Sequence, residues 1–229
     1  MQDKLRKTAP FIFFIILLAI IGGYFLLGRQ KSSSSDFLTS LKNPPARTVQ
    51  LTGDGKNHTV KDLGIASGFY EFNLRSGKVD SFPLAGLNNL GGEKTQVYLT
   101  SADTIRLSKA SKIVLKPSNL KALKSLTFRR PGMYLVGQQI PAGDYRITTG
   151  GTWNTMSESS SPTTLTITAQ DEEGNILKDN EAKNIRYSLS LFGSDISGTV
   201  VLTLKDKTLL TVSFYQATPD TAVSLIKIK

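Results

Sequence analysis

Two patterns of hydrophobic and polar positions divide this chain. Pro10–Leu27 (PFIFFIILLAIIGGYFLL) is an unbroken apolar run with no charged side chain and one strongly polar group, Tyr24. At about 1.5 Å per helical residue such a run reaches roughly 27 Å, close to the ~30 Å hydrocarbon core of a bilayer. A helix also closes its backbone hydrogen bonds internally, which lipid demands. The pattern predicts a transmembrane helix over 10–28. From Arg47 onward the period changes to two. Strands are predicted at Thr48–Leu51, His58–Lys61 and Ile65–Phe72, then at Thr163–Ala169, Ile185–Phe192 and Val223–Ile228, with Gly- and Asp-bearing turns between them. Only Ser118–Leu126 has helical spacing, through Leu120, Leu123 and Leu126.

The strand-patterned part repeats itself. Ile65-Ala66-Ser67-Gly68-Phe69-Tyr70 is matched by Ile140-Pro141-Ala142-Gly143-Asp144-Tyr145, 75 residues later. Val97–Leu107 is matched by Leu202–Val212, 105 residues later; each reads strand, polar turn, strand, and predicts a hairpin. Two matches in one order, with about 30 residues added between them in the second copy, argue for two related units. The predicted fold is mainly β: a single amino-terminal transmembrane helix, then two antiparallel β-sandwich or barrel-like units. The divisions are a basic flank (1–9), the span (10–28), a Ser/Pro-containing linker (29–45), a first β unit (46–117), a basic connector (118–130) and a second β unit (131–229). Within the linker, Asp36–Lys42 could form one helical turn capped by Asp36. The rest reads as a solvated tether.

The segment Tyr134-Leu135-Val136-Gly137-Gln138-Gln139-Ile140-Pro141-Ala142-Gly143-Asp144-Tyr145 resembles the VGxxIPAGxY signature of small β domains in exported, mostly uncharacterised Gram-positive surface proteins. In that pattern a D-x-x-G turn and a closing L-x-x-G-D hairpin follow. Asp171–Gly174 and Leu204–Thr208 are similar, with Lys207 where glycine is usual. The resemblance covers residues 131–215 well and 58–115 weakly. It implies a folding signature and no activity, with Gly68, Tyr70, Pro141, Gly143 and Tyr145 as its corners.

Charge adds a direction. The net charge is +10, yet residues 131–229 carry 8 basic and 10 acidic side chains, so the excess lies toward the amino end and the middle. Lys109, Lys112, Lys116, Lys121, Lys124, Arg129 and Arg130 follow one another with no intervening acid. This placement suits anionic lipid headgroups or an anionic cell-wall polymer; no nucleic-acid partner is expected. Lys4, Arg6 and Lys7 ahead of the apolar run would also suit a secretory signal. Signal cores run ~7–15 residues and end in small residues; this one is longer, with Ile20, Phe25 and Leu26 where small residues belong. The expectation is an uncleaved single-pass anchor in the cell membrane, amino end cytoplasmic and β units extracellular.

Candidate chemistry is sparse. Without cysteine, disulfides, thiol catalysis and Cys-based zinc sites are excluded, and His58 has no second histidine to join. Asp171–Glu173 is a contiguous acidic run, unlike the alternating oxygens of a calcium loop, and reads as a hairpin turn. Ser118-Asn119-Leu120-Lys121 matches S-x-x-K, but its companion elements are missing. No cofactor or metal is expected. Trp153 and Asn154, on a Gly/Ser-rich stretch, are a candidate ligand-contact loop for sugar or peptide. The chain thus reads as a membrane-anchored bacterial cell-surface protein with a binding, adhesion or envelope-associated role and no catalysis. Its partner would be an anionic wall polymer or another surface or membrane protein. One alternative is an accessory subunit of an export or envelope machine, which Gly22-Gly23 would suit by allowing close helix packing. The other is an envelope hydrolase.

Overall fold

The computed structural model describes residues 34–90, 92–150, 164–172, 175–177, 186–190, 201–215 and 222–228. The predicted span Pro10–Leu27 and the residues Trp153 and Asn154 lie outside them. Among the described residues no helix is long and apolar enough to cross a membrane.

The described chain is mainly β, in four antiparallel sheets. A helix, α1 (Ser34–Lys42), precedes β1 (Val49–Thr52), β2 (Asn57–Thr59), β3 (Gly68–Ser76), β4 (Val79–Ser81), β5 (Lys94–Leu99), β6 (Thr104–Leu107) and β7 (Lys112–Pro117). Then come β8 (Thr127–Phe128), β9 (Gly132–Leu135), β10 (Gly143–Gly150), β11 (Thr164–Gln170), β12 (Arg186–Ser190), β13 (Val201–Leu204), β14 (Leu209–Tyr215) and β15 (Ala222–Lys227). The first seven strands make sheets ordered β1-β7-β3-β5 and β2-β6-β4; the rest make β8-β15-β10-β13 and β9-β14-β11-β12. Read in parallel, the two orders are the same among the described residues, with β12 added at a sheet edge.

The register repeats with the order. Tyr70 stands opposite Val97 and Tyr145 opposite Leu202; Phe72 stands opposite Leu115 and Ile147 opposite Leu225. The last correspondence, β7 with β15, joins the two that the sequence shows. The corners repeat as well. Gly68 and Gly143 have φ of 148° and 147°, a region closed to most L side chains. Two residues on, the buried Tyr70 and Tyr145 donate their hydroxyls back to Ala66 O (2.8 Å) and Pro141 O (2.5 Å). Burial pushes both phenols above the ordinary tyrosine value, so both remain donors at neutral pH.

The segments predicted as hairpins are not hairpins. β5 lies in the sheet of β3 and β6 in that of β2 and β4; β13 and β14 are likewise in different sheets. Alternation says which side chains face inward, and Val97, Leu99, Ile105 and Leu107 all do. It does not say whether the turn reverses the chain within a sheet or arches from one sheet to the other. Both arches close alike, Asp103 N donating to Thr100 O and Thr208 N to Lys205 O. In the second arch Lys207 takes φ 61°, at the position where the resemblance expects glycine. Lys207→Gly should therefore raise stability by about 0.5–1 kcal/mol, relief of left-handed strain outweighing the added freedom of the unfolded chain. A lower urea midpoint would contradict this. The Lys207–Glu172 ion pair at 3.5 Å, whose Glu172 Oε2 is buried without a hydrogen-bond partner, offsets part of the gain and places it at the low end of that range.

Two segments depart further from expectation. Ser34–Lys42, inside the predicted linker, is a helix of more than one turn with Asp36 within it rather than capping it. Its Phe37 is buried edge-on against Tyr98 (5.2 Å), and Tyr98 packs on Phe69 (4.9 Å). Ser40 Oγ donates to Phe37 O at 2.8 Å and lies 3.3 Å from the Tyr98 hydroxyl. Ser118–Leu126 is not helical despite its spacing. Its leucines serve a seam instead: Leu120 packs on the core of the first unit, Leu123 and Leu126 on that of the second. The cores are not wholly separate, for Met133, Leu135 and Leu209 of the second unit pack with the first.

Candidate functional site

The most informative surface is where the units meet, between β5 on one side and β8–β9 with the preceding connector on the other. Gln96 sits on the half-buried face of the edge strand β5, and Gln139 is buried in the turn after β9. Their amides pair reciprocally: Gln96 Nε2 donates to Gln139 Oε1 (2.7 Å), and Gln139 Nε2 to Gln96 Oε1 (3.0 Å). Gln96 Nε2 also reaches Met133 O (2.9 Å), Leu135 N donates to Gln139 Oε1 (3.0 Å), and Ser118 Oγ donates to Gln96 Oε1 (3.0 Å). Thr95 Oγ1 donates to Pro131 O, and the Tyr98 N–H points to Met133 Sδ. Edge-strand polar groups that would otherwise be open to another chain are thus engaged by the neighbouring unit. A second contact forms where Gly86 approaches Phe214 O so closely that a Cβ there would lie 2.2 Å from it.

Above this network lies a cleft of about 470 Å³, lined by Glu71, Lys94, Gln96 and Ser118 from the first side. The other side supplies Leu123, Ser125, Thr127, Phe128, Arg129, Arg130, Tyr134 and Gln139. Phe128 and Tyr134 pack with their rings tilted at 44° and centroids 4.8 Å apart, and Gly132 leaves the room that the Tyr134 ring occupies. Burial pushes the Tyr134 phenol up to about 12, against the nearby Arg130 charge, so it stays protonated. At the rim Lys94 Nζ meets Glu71 Oε1 at 2.8 Å, and Arg130 pairs with Glu93. All four side chains are substantially exposed, so these pairs hold the cations only loosely.

The structure sorts the seven sequence-predicted cations. All are exposed. Arg129 and Arg130 line the cleft, while Lys121 and Lys124 lie on the connector that forms its second wall. Lys116, at the carboxyl end of β7, stands beside Glu71 in the ladder, whereas Lys112 and Lys109 are at the strand's far end and are not part of the cleft. Sequence reasoning missed Lys94, Gln96, Gln139 and Tyr134. Gln96 stands between Thr95 and Val97 in a strand, and Gln139 follows Gln138 in a turn, and nothing local marks either as facing another unit.

The remaining candidates resolve into turns and corners. Gly68, Tyr70, Pro141, Gly143 and Tyr145 build the repeated corner already described. His58 Nε2 lies 3.0 Å from Asp54 Oδ2 on the exposed β1–β2 turn, and the Lys56 N–H, then His58, hold the Asp54 carboxyl below its ordinary value. Asp171 accepts from Asn175 N (2.8 Å) and Nδ2 (3.1 Å), closing a turn. Ser118, the serine of the S-x-x-K match, donates its proton to a glutamine rather than to a base. No protein-family model, curated protein or solved structure matches this chain.

Proposed function

We propose that this chain is a membrane-anchored, non-catalytic protein of a bacterial envelope whose two β units bind an anionic polymer across their junction. One observation carries the reading: of the seven exposed cations in the run, Lys121, Lys124, Arg129 and Arg130 lie on the connector and cleft wall at the junction, and among the described residues only Arg130 of these has an ion-pair partner. Unpaired cations grouped along a seam attract a polyanion more strongly than the same charges scattered over the surface. The repeated corner and matching strand orders support two copies of one exported β unit, each a two-sheet sandwich. The apolar run Pro10–Leu27 serves as the anchor, with the amino end cytoplasmic and the β units outside. Residues 28–33 separate it from α1, which packs on the first unit.

Full-length protein in non-ionic detergent is expected to be retained on immobilised polyglycerol phosphate. The combined changes Lys121→Glu, Lys124→Glu, Arg129→Glu and Arg130→Glu should abolish that retention while the protein stays folded, because all four side chains are exposed and only the exposed Arg130–Glu93 pair is lost. Equal retention of the two proteins would remove the basic junction from the account.

A further inference from the structure

We infer that the cleft between the β units is a subsite for one phosphodiester-linked, hydroxyl-rich unit of such a polymer, with Arg129 holding the phosphate. This rests on the polymer-binding reading above and makes it specific. Of the three cations at the cleft, Lys94 is engaged by Glu71 and Arg130 by Glu93. Arg129 lines the same cleft and has no carboxylate partner among the described residues. Its guanidinium presents paired N–H donors in a plane, a match for two phosphate oxygens.

The rest of the lining says what must accompany the phosphate. Ser118, Ser125 and Thr127 place hydroxyls along the walls, and the mutually bonded Gln96–Gln139 pair closes the floor. The half-buried Tyr134, backed by the buried Phe128, gives the cleft an apolar floor that a polyol or sugar backbone can lie against. A volume of about 470 Å³ suits one or two such units rather than a folded partner. Glu71 is decisive for selectivity. Paired with Lys94 on one oxygen, Glu71 still disfavours a chain whose side groups are all carboxylates, with no hydroxyl to donate to it. It tolerates a chain in which charged groups alternate with hydroxyls, since a hydroxyl can donate to Glu71 while the phosphate meets Arg129. The two walls come from different units held in register by the glutamine pair, so the site exists before the ligand arrives.

The test is calorimetric titration of the full-length protein in detergent at low salt with a glycerol-phosphate oligomer. Polyglutamate of equal charge serves as the hydroxyl-free comparison. Wild type should bind the glycerol phosphate at least tenfold more tightly than the polyglutamate. Arg129→Ala should weaken glycerol-phosphate binding tenfold or more, and Arg129→Lys, which keeps the charge without the fork, should fall between. Lys109→Ala with Lys112→Ala should change it less than twofold. If Arg129→Ala binds like wild type while the Lys121/Lys124/Arg129/Arg130 charge reversal does not, the cleft is not the subsite and the broader reading stands. Equal binding of both polymers overturns the selectivity drawn from Glu71. No wild-type binding to either polymer overturns both readings together.

Discussion

Gly68→Ala is expected to cost about 2–5 kcal/mol of stability, from strain at a disfavoured backbone angle together with overpacking. At φ 148° the residue sits where a side chain is rarely accommodated, and an added Cβ would lie 2.5 Å from Pro45 Cδ and 2.6 Å from its Cγ. The proline ring is rigid and Pro45 is buried, so it cannot swing aside as a long side chain would. The equivalent glycine of the second unit, Gly143, has φ 147°, and Gly143→Ala should be destabilising through the same backbone term. Tyr70→Phe, which loses only the bond to Ala66 O, should cost about 1 kcal/mol. Urea midpoints of the three variants test the series. A Gly68→Ala midpoint indistinguishable from wild type would mean that the corner does not position β3.

The second large effect belongs to the junction. Gln139→Ala removes one amide of the reciprocal pair and leaves Gln96 and the Leu135 N–H short of partners in a closed interface. Each unsatisfied buried group costs roughly 1–3 kcal/mol, so the loss should be about 3 kcal/mol. Gln96→Ala should be comparable, since it leaves Gln139 and Met133 O without the same donor. The double variant should cost clearly less than the sum of the singles, because each single change already breaks the pair. Strict additivity in a double-mutant cycle would show that the two amides do not act together.

These two sites differ in how far the sequence reveals them. The corner is legible because its requirements are local. A glycine at a forbidden angle and a tyrosine two residues on that bonds back four residues leave a spaced pattern, and both copies carry it. Lys207 stands out in the sequence only through the resemblance, which has glycine there; the left-handed φ of 61° supplies the reason. The arches after β5 and β13 look like hairpins in the sequence because alternation reports the buried face of a strand and not its partner. Ser118–Leu126 has helical spacing because leucines every third residue suit one helix face. Here they suit two separate cores that an extended segment crosses. Phe37 gave no signal amid a serine-rich stretch, since its burial depends on Tyr98 and Phe69, distant in sequence. The cleft was half legible. Its cations stood out as a run, whereas its opposite wall lies on β3 and β5 and comes near only when the units dock.

The most direct test of the central claim is the salt dependence of binding between the full-length protein and polyglycerol phosphate, with neutral dextran as the control. If cations along the junction hold a polyanion, binding should be firm at about 50 mM salt and fade steadily toward about 500 mM as screening shortens the reach of each charge. Dextran should not bind across that range. Binding that ignores salt, or equal binding to dextran, would contradict an electrostatic junction and with it the function proposed for this protein.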